Sequence, residues 1–233
     1  MAKPDSIIPL LARTDLFRGW DTAHLTACAA AFRAIEFAKG EMLFSRGDVG
    51  NRLYLIAEGR VRVAVVTEEG RELSFRHATA GSLVGEIAAL DGGPRSADAV
   101  ALSPVHAYSL ERNALNELCA THPAVSTALV VYLCRRIRDT SNQLEAIVFH
   151  PIEVRLARFL LVALGDRKAE AGKRIPLELG FSQSELAQLL GASRPKVNAA
   201  LGLLENMDAI KRTIDRIFCD PAKLAQITQG DDV

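Results

Sequence analysis

The sequence predicts an α+β protein in three successive parts: a β-rich first half behind a helical lead, one long helix, and a C-terminal set of short helices with a β tail. Three observations carry this. Across residues 35–110 apolar and polar residues alternate with a period of two, punctuated by glycine turns. Across residues 125–149 apolar residues recur every three or four positions. After Ser182 two short amphipathic segments face each other across a glycine turn, and a second alternating stretch, residues 210–218, follows.

Composition bounds the classes. A chain of 233 residues with zero formal net charge and 49% hydrophobic residues can bury a proper core, and it has neither a disordered nor a membrane composition. No apolar run approaches the ~20 residues of a spanning helix. Pro4 and Asp5 stand where a signal peptide needs a basic end and a longer apolar stretch. Cys28, Cys119, Cys134 and Cys219 lie far apart without a CxxC pair, so reduced thiols in a cytoplasmic protein are expected, with no metal or iron–sulfur site of clustered cysteines. Any electrostatic case for nucleic acid has to be local.

Taken in order, residues 7–34 read as helical, with Leu10, Leu11, Leu16, Phe17, Leu25 and Phe32 on the apolar side and Asp15 and Asp21-Thr22 as caps. Strands follow through Ile35 and Phe37, Met42 and Phe44, Leu53 and Leu55, and Val61, Val63 and Val65. Lys39-Gly40, Arg46-Gly47-Asp48, Glu58-Gly59 and Glu69-Gly70 supply the turns. Short strands at this spacing fit a barrel, a sandwich or a jelly roll.

Residues 81–101, GSLVGEIAALDGGPRSADAVA, hold the most informative chemistry. A strand through Ser82, Leu83 and Val84 turns at Gly85-Glu86 into a short helical segment, Ile87 to Leu90. A loop leads to Arg95-Ser96, which opens another strand. This is a small anion cradle: Gly85 lets backbone approach a ligand, and the amides of the helix start point outward. Arg95 offers a two-pronged cation to phosphate oxygens, and Ser96 a hydroxyl. Glu86 beside a phosphate makes sense as an acceptor for a sugar hydroxyl, which points to a nucleotide. The plain alternative is strand, loop and strand with Arg95 on the surface.

Gly-Glu, a short apolar helix, then Arg-Ser resembles the phosphate-binding cassette of the cyclic-nucleotide-binding domain. GDVGNRLYLIAEGRVRV, residues 47–63, resembles that domain's strand–turn–strand core. With the helices described next, nearly the whole chain resembles the cyclic AMP receptor protein family, within the wider group that includes the fumarate–nitrate regulators (Crp/Fnr). The resemblance implies a β-roll of jelly-roll form and a cyclic nucleotide as effector, cyclic AMP before cyclic GMP, with no covalent cofactor. Gly85, Glu86, Ile87, Arg95 and Ser96 would line the site.

Val130, Leu133, Ile137, Thr140, Leu144 and Ile147 have the alternating three–four spacing of a two-stranded coiled-coil seam, and Arg135, Arg136, Arg138, Asp139, Asn142 and Glu145 fall largely off it. Such a stripe either covers the β region or joins two copies. Thr140, polar in mid-seam, favours the homodimer. In the family this helix is the dimer interface, and a Thr-Ser pair reaches the base, the serine coming from the partner. Thr140-Ser141 match that pair. Successive helical residues point about 100° apart, so one hydroxyl can face its own pocket and the other the neighbour's. Phe149-His150-Pro151 breaks the helix. The expected domains are therefore 1–149, an effector domain whose dimerisation helix starts near 124, and 150–233.

In the second domain a polar loop, 165–180, contains a short strand from Ile175 to Leu179. Ser182 with Glu185 three residues on forms a capping box, Leu186, Ala187, Leu189 and Leu190 give an apolar side, and Gly191 ends the helix. Ser193 caps a second helix with Val197, Leu201 and Leu204 buried. This is a helix-turn-helix, and residues 210–218, turning at Asp215, read as a wing. The exposed side offers Arg194, Lys196 and Asn198, and the wing Lys211, Arg212 and Arg216. Five bases against Glu205, Asp208 and Asp215 leave a local +2. Arg194 suits guanine and Asn198 adenine. Arg194 matches a base-reading arginine of the family, but Pro195 and Ala199 stand where its best-known members carry Glu and Arg, so a different palindromic operator is expected. Ser182, Ser193, Arg194, Lys196, Asn198, Lys211 and Arg212 form the expected DNA contact set, with RNA polymerase as a further partner.

Three rival readings are weaker. A haem or redox sensor would need His77, His106 or His122 as iron ligands, and lone histidines are poor evidence. A nucleotide-binding module acting on a partner protein leaves the helix-turn-helix unused. An enzyme lacks any placed nucleophile–base pair or zinc spacing. The mechanism expected is a population shift, in which ligand favours a hinge arrangement holding both recognition helices ~34 Å apart.

Overall fold

The computed structural model describes residues 7–14, 17, 20–68, 72–165, 167, 174–178, 182–213 and 216–229. Asp15, Leu16, the Glu69-Gly70 turn, Leu179, Asp215 and most of the 165–180 loop lie outside the described residues. The chain divides into two compact units, Met1–Asp139 and Thr140–Val233.

The first unit opens with α1 (Ile8–Arg13) and α2 (Thr22–Ala31) in place of one helical stretch. Thr14 ends α1 in an extended conformation, and the Asp21 carboxylate accepts the His24 amide proton at 2.8 Å, capping α2 as expected. The strands are β1 (Arg33–Phe37), β2 (Met42–Phe44), β3 (Arg52–Glu58), β4 (Val61–Val66), β5 (Glu72–Ala78), β6 (Leu83–Val84), β7 (Asp98–Ala101) and β8 (Val105–Glu111). Between β6 and β7 lies α3 (Glu86–Asp91), and α4 (Arg112–Thr121) and α5 (Pro123–Phe149) follow β8. Two antiparallel four-stranded sheets, β1-β8-β3-β6 and β2-β7-β4-β5, make the β-roll.

Two strands depart from simple alternation, for visible reasons. Leu53, Tyr54, Leu55 and Ile56 of β3 are all buried. Leu53 and Leu55 join Leu11, Phe17, Cys28, Leu110 and Leu115 on the helical side, whereas Tyr54 and Ile56 join Phe37, Val61 and Ala99 between the sheets. A strand covered on both faces reads as a continuous apolar run. In β4 the register shifts between Val63 and Ala64, so Val61 and Ala64 are buried and Val63 and Val65 only half-buried. One extra residue in a strand exchanges its faces. Arg95-Ser96 do not open a strand: they lie before β7, next to the isolated Val49–Pro94 bridge, where the Arg95 amide donates to the Asp48 carbonyl and its carbonyl accepts from the Gly47 amide, each at 2.9 Å.

On α5 the residues packed on the β-roll core are Val125, Ala128, Leu129 and Tyr132. The three–four seam lies elsewhere: Val130, Ile137 and Leu144 are 60%, 66% and 62% exposed. The stripe therefore does not serve to cover the β region.

The second unit, from Thr140, holds the end of α5, then α6 (Ile152–Leu164), β9 (Ile175–Leu177), α7 (Gln183–Leu189), α8 (Arg194–Asn206), β10 (Ile210–Arg212), β11 (Ile217–Cys219) and α9 (Pro221–Gln229). Leu156, Leu160, Leu186, Leu201, Leu204, Ile210 and Leu224 form its core. Pro151 is the residue before the first turn of α6, not its first member. Strands β10-β11-β9 form the antiparallel wing sheet. Among the described residues no single helix is long and apolar enough to cross a membrane.

Candidate ligand cassette and nucleic-acid interface

The cassette is assembled around a buried arginine. Gly85, at φ 79, precedes α3, and a Cβ there would lie 2.4 Å from Arg95 Nη1. Only glycine combines this left-handed turn with so close an approach. Arg95 is 4% exposed, which removes the surface reading of this residue. Its Nη1 donates to the Gly85 carbonyl and its Nη2 to the Arg52 carbonyl, each at 2.8 Å, and the guanidinium lies 4.1 Å from the centre of the Phe44 ring. Burial lowers its pKa from the ordinary value, an effect Tyr54 partly offsets. A cation held this way is costly without a compensating anion. Ser96 and Ile87 are exposed at the rim, Ile87 at 47%.

Glu86, 3% exposed, turns from Arg95 towards two other cations. Arg76 Nη2 lies 3.6 Å from one carboxylate oxygen and Arg136 Nε 3.9 Å from the other. Arg76 also donates to the Leu83 carbonyl. These side chains border a cavity of about 180 Å³ lined by Thr14, Arg76, Ser82, Leu83, Tyr132 and Arg136, with Gly81. Burial raises the Tyr132 phenol above its ordinary pKa, and Glu86 adds to that. Arg76, Tyr132 and Arg136 were not candidates from sequence. Arg136 precedes Thr140 by one helical turn, a signal that was available; Arg76 on β5 offered none. Thr140 and Ser141 are exposed on α5, in the second unit.

In that unit, local sequence sets the helix-turn-helix. Ser182 Oγ accepts the Glu185 amide proton at 3.2 Å while the Glu185 carboxylate accepts that of Ser182 at 2.7 Å, a complete capping box. Gly191, at φ 59, turns the chain into α8. Ser193 is positioned before α8, but its side chain makes no capping bond. Pro195 is the second helical residue, so one of the two amides such a hydroxyl bonds does not exist.

Val197, Ala200, Leu201 and Leu204 of α8 are buried, and Arg194, Lys196 and Asn198 are exposed. Arg194 Nε donates to Gln183 Oε1 at 3.4 Å across the turn. Lys211 is exposed on β10. Arg212 is not free: its Nε and Nη2 donate to Glu205 Oε2 at 2.8 and 2.5 Å, its backbone amide to Oε1 at 3.0 Å, and its Nη1 to Asn198 Oδ1 at 3.2 Å. These bonds hold the Glu205 carboxyl below its ordinary pKa. Arg216 pairs with Glu178 at 2.8 Å. The expected local excess of +2 is thus largely engaged within the fold, and Arg194, Lys196 and Lys211 carry the outward charge.

A β-roll with a nucleotide-type cassette, joined through a long helix to a winged helix-turn-helix, defines a ligand-sensing, DNA-binding regulator of transcription. Comparison with known proteins bears this out. Residues 34–122 match the cyclic nucleotide-binding domain, and residues 154–227 the Crp-like helix-turn-helix domain. The chain is 33% identical over 192 residues to the CRP-like cAMP-activated global transcriptional regulator of Mycobacterium tuberculosis, covering 82% of this chain and 86% of that one. It is 31% identical over 196 residues to the cyclic AMP receptor protein of Thermus thermophilus, covering 84% and 88%. The solved structure of the Thermus thermophilus catabolite activator protein superposes with a TM-score of 0.55 at 29% identity, over 93% of this chain and 99% of that one. The protein belongs to the Crp/Fnr family of bacterial transcription regulators.

Proposed function

We propose that this regulator is a cytoplasmic homodimer that binds a palindromic operator under allosteric control by a cyclic nucleotide, foremost cyclic AMP, and acts with RNA polymerase. The observation that carries the ligand assignment is the buried Arg95 guanidinium beside the left-handed Gly85 turn, a fixed cation that suits a bound anion. The relatives named as a cAMP-activated regulator and as a cyclic AMP receptor protein support the nucleotide. The exposed α5 seam supports the dimer: Val130, Ile137 and Leu144 on a second copy would supply the apolar cover this stripe lacks. In this reading Gly85, Glu86, Ile87, Arg95 and Ser96 hold phosphate and ribose, and Thr140 and Ser141 reach the base. Arg194, Lys196 and Lys211 meet DNA, with Ser182 and Ser193 on the flanking phosphates. The chain is read as two domains, 1–149 and 150–233.

One observation favours a second effector, cyclic GMP. Arg76 and Arg136 face the cavity beside Glu86, and arginine pairs with the O6 and N7 acceptors of guanine. Titration calorimetry of the dimer with each nucleotide, repeated on Thr140→Ala, tests both readings. Micromolar binding of one nucleotide, weakened by that change, is expected. Absence of heat with either nucleotide refutes the ligand assignment and leaves the DNA-binding one standing.

A further inference from the structure

A base-reading asparagine recognises adenine with both ends of its amide: the oxygen accepts from N6 and the nitrogen donates to N7. Asn198, on the exposed face of α8, has its amide oriented by a protein partner. Its Oδ1 accepts a hydrogen bond from Arg212 Nη1 at 3.2 Å. Arginine only donates, so this contact assigns the oxygen to the protein side and turns the NH2 outward. Arg212 is not at liberty to move away. Glu205, the penultimate residue of the same helix, grips its Nε and Nη2 through one carboxylate oxygen and its backbone amide through the other. Nη1 is what remains for Asn198. The chain of contacts runs from Glu205 on α8, through Arg212 on β10, back to Asn198 on α8.

We infer that Glu205 and Arg212 form a positioning pair that presents Asn198 as a donor only, so that it reads the acceptor edge of guanine (O6, N7) or thymine (O4) in the major groove and not adenine. This rests on the DNA-binding reading above and goes further by naming the base class at one position of each half-site. It revises the adenine expectation drawn from the asparagine alone. It also gives Arg212 a task other than phosphate contact. A phosphate-bound arginine would affect all sequences equally; a positioning arginine changes the preference at one base pair.

The test begins with selection of operator sequences by the full-length protein, with and without saturating cyclic AMP. Fluorescence anisotropy then measures binding to symmetric single-base variants of the selected site for the wild type and for Asn198→Ala, Arg212→Ala and Glu205→Gln. Asn198→Ala should level the preference at one half-site position, where the wild type prefers guanine or thymine. At that position Arg212→Ala should shift the ratio of adenine to guanine or thymine affinity by about five- to tenfold towards adenine, because the freed amide regains its second bond. Glu205→Gln, which keeps the shape, should shift it the same way by less. Wild-type preference for adenine there overturns the inference. So does a uniform loss of affinity in Arg212→Ala with that preference intact and the salt slope reduced by about one. Failure of the wild type to select any sequence would overturn the DNA-binding reading itself, and the inference with it.

Discussion

Gly85→Ala is the substitution whose cost follows most directly from the cassette. Two terms add. At φ 79 an alanine must adopt the left-handed region, which costs about 1–2 kcal/mol. Its Cβ would also stand 2.4 Å from Arg95 Nη1 and 3.1 Å from Phe44 Cε1. Arg95 is buried and tied to two carbonyls, so it cannot yield without losing at least one charge-assisted hydrogen bond, about 1.5–3 kcal/mol. The total is about 2.5–5 kcal/mol. Gly40→Ala is the internal control: φ is 84, but nothing lies within 4 Å of its Cβ, so only the backbone term of about 1–2 kcal/mol applies. The chain has one tryptophan, and Trp20 packs against the core of the first unit, so urea unfolding followed by its fluorescence reports the unit concerned. Gly85→Ala should also abolish nucleotide binding, whereas Gly40→Ala retains it. Equal destabilisation by the two substitutions would refute the role given to Arg95. In the double variant Gly85→Ala/Arg95→Ala the two losses should be less than additive, since the clash has gone.

Three further outcomes are expected. Ile137→Asp should convert the proposed dimer to monomer in sedimentation velocity yet leave the unfolding free energy reported by Trp20 within about 0.5 kcal/mol, because Ile137 is 66% exposed; a persisting dimer excludes the seam. The Glu205 carboxyl is held below its ordinary value of 4.5 by Arg212, so its contribution to the second unit is present above that value and is lost as pH falls through the lower folded value. Melting followed by circular dichroism should therefore show a steeper acid loss for wild type than for Glu205→Gln. Burial pushes the Cys28 and Cys219 thiols up to about 11, and Cys134 is exposed, so brief iodoacetamide treatment at pH 8 should label Cys134 and spare the other two; early labelling of Cys28 would contradict its place in the core.

Sequence by itself determined the features whose causes are local. The Ser182–Glu185 box, the left-handed turns at Gly85 and Gly191, and the three–four stripe on α5 each depend on residues within about one helical turn, so spacing alone reveals them. The cassette was legible because Gly85, Glu86, Arg95 and Ser96 share one short segment. Tertiary structure decided what those residues touch. Arg95 donates to the backbone carbonyl of Arg52, 43 positions away, and Glu86 stands in ion-pair range of Arg76 and Arg136 on two other elements. The burial of all four residues from Leu53 to Ile56 required a helix layer on one face and a sheet on the other, which no period within β3 can encode. Spacing places Asn198 on the exposed face of α8, but only the fold brings Arg212 within hydrogen-bond reach of its side-chain oxygen, with Glu205 behind it. Local chemistry follows from backbone propensity and spacing, whereas the direction of a charged side chain is set by whichever partner folding brings within hydrogen-bond reach.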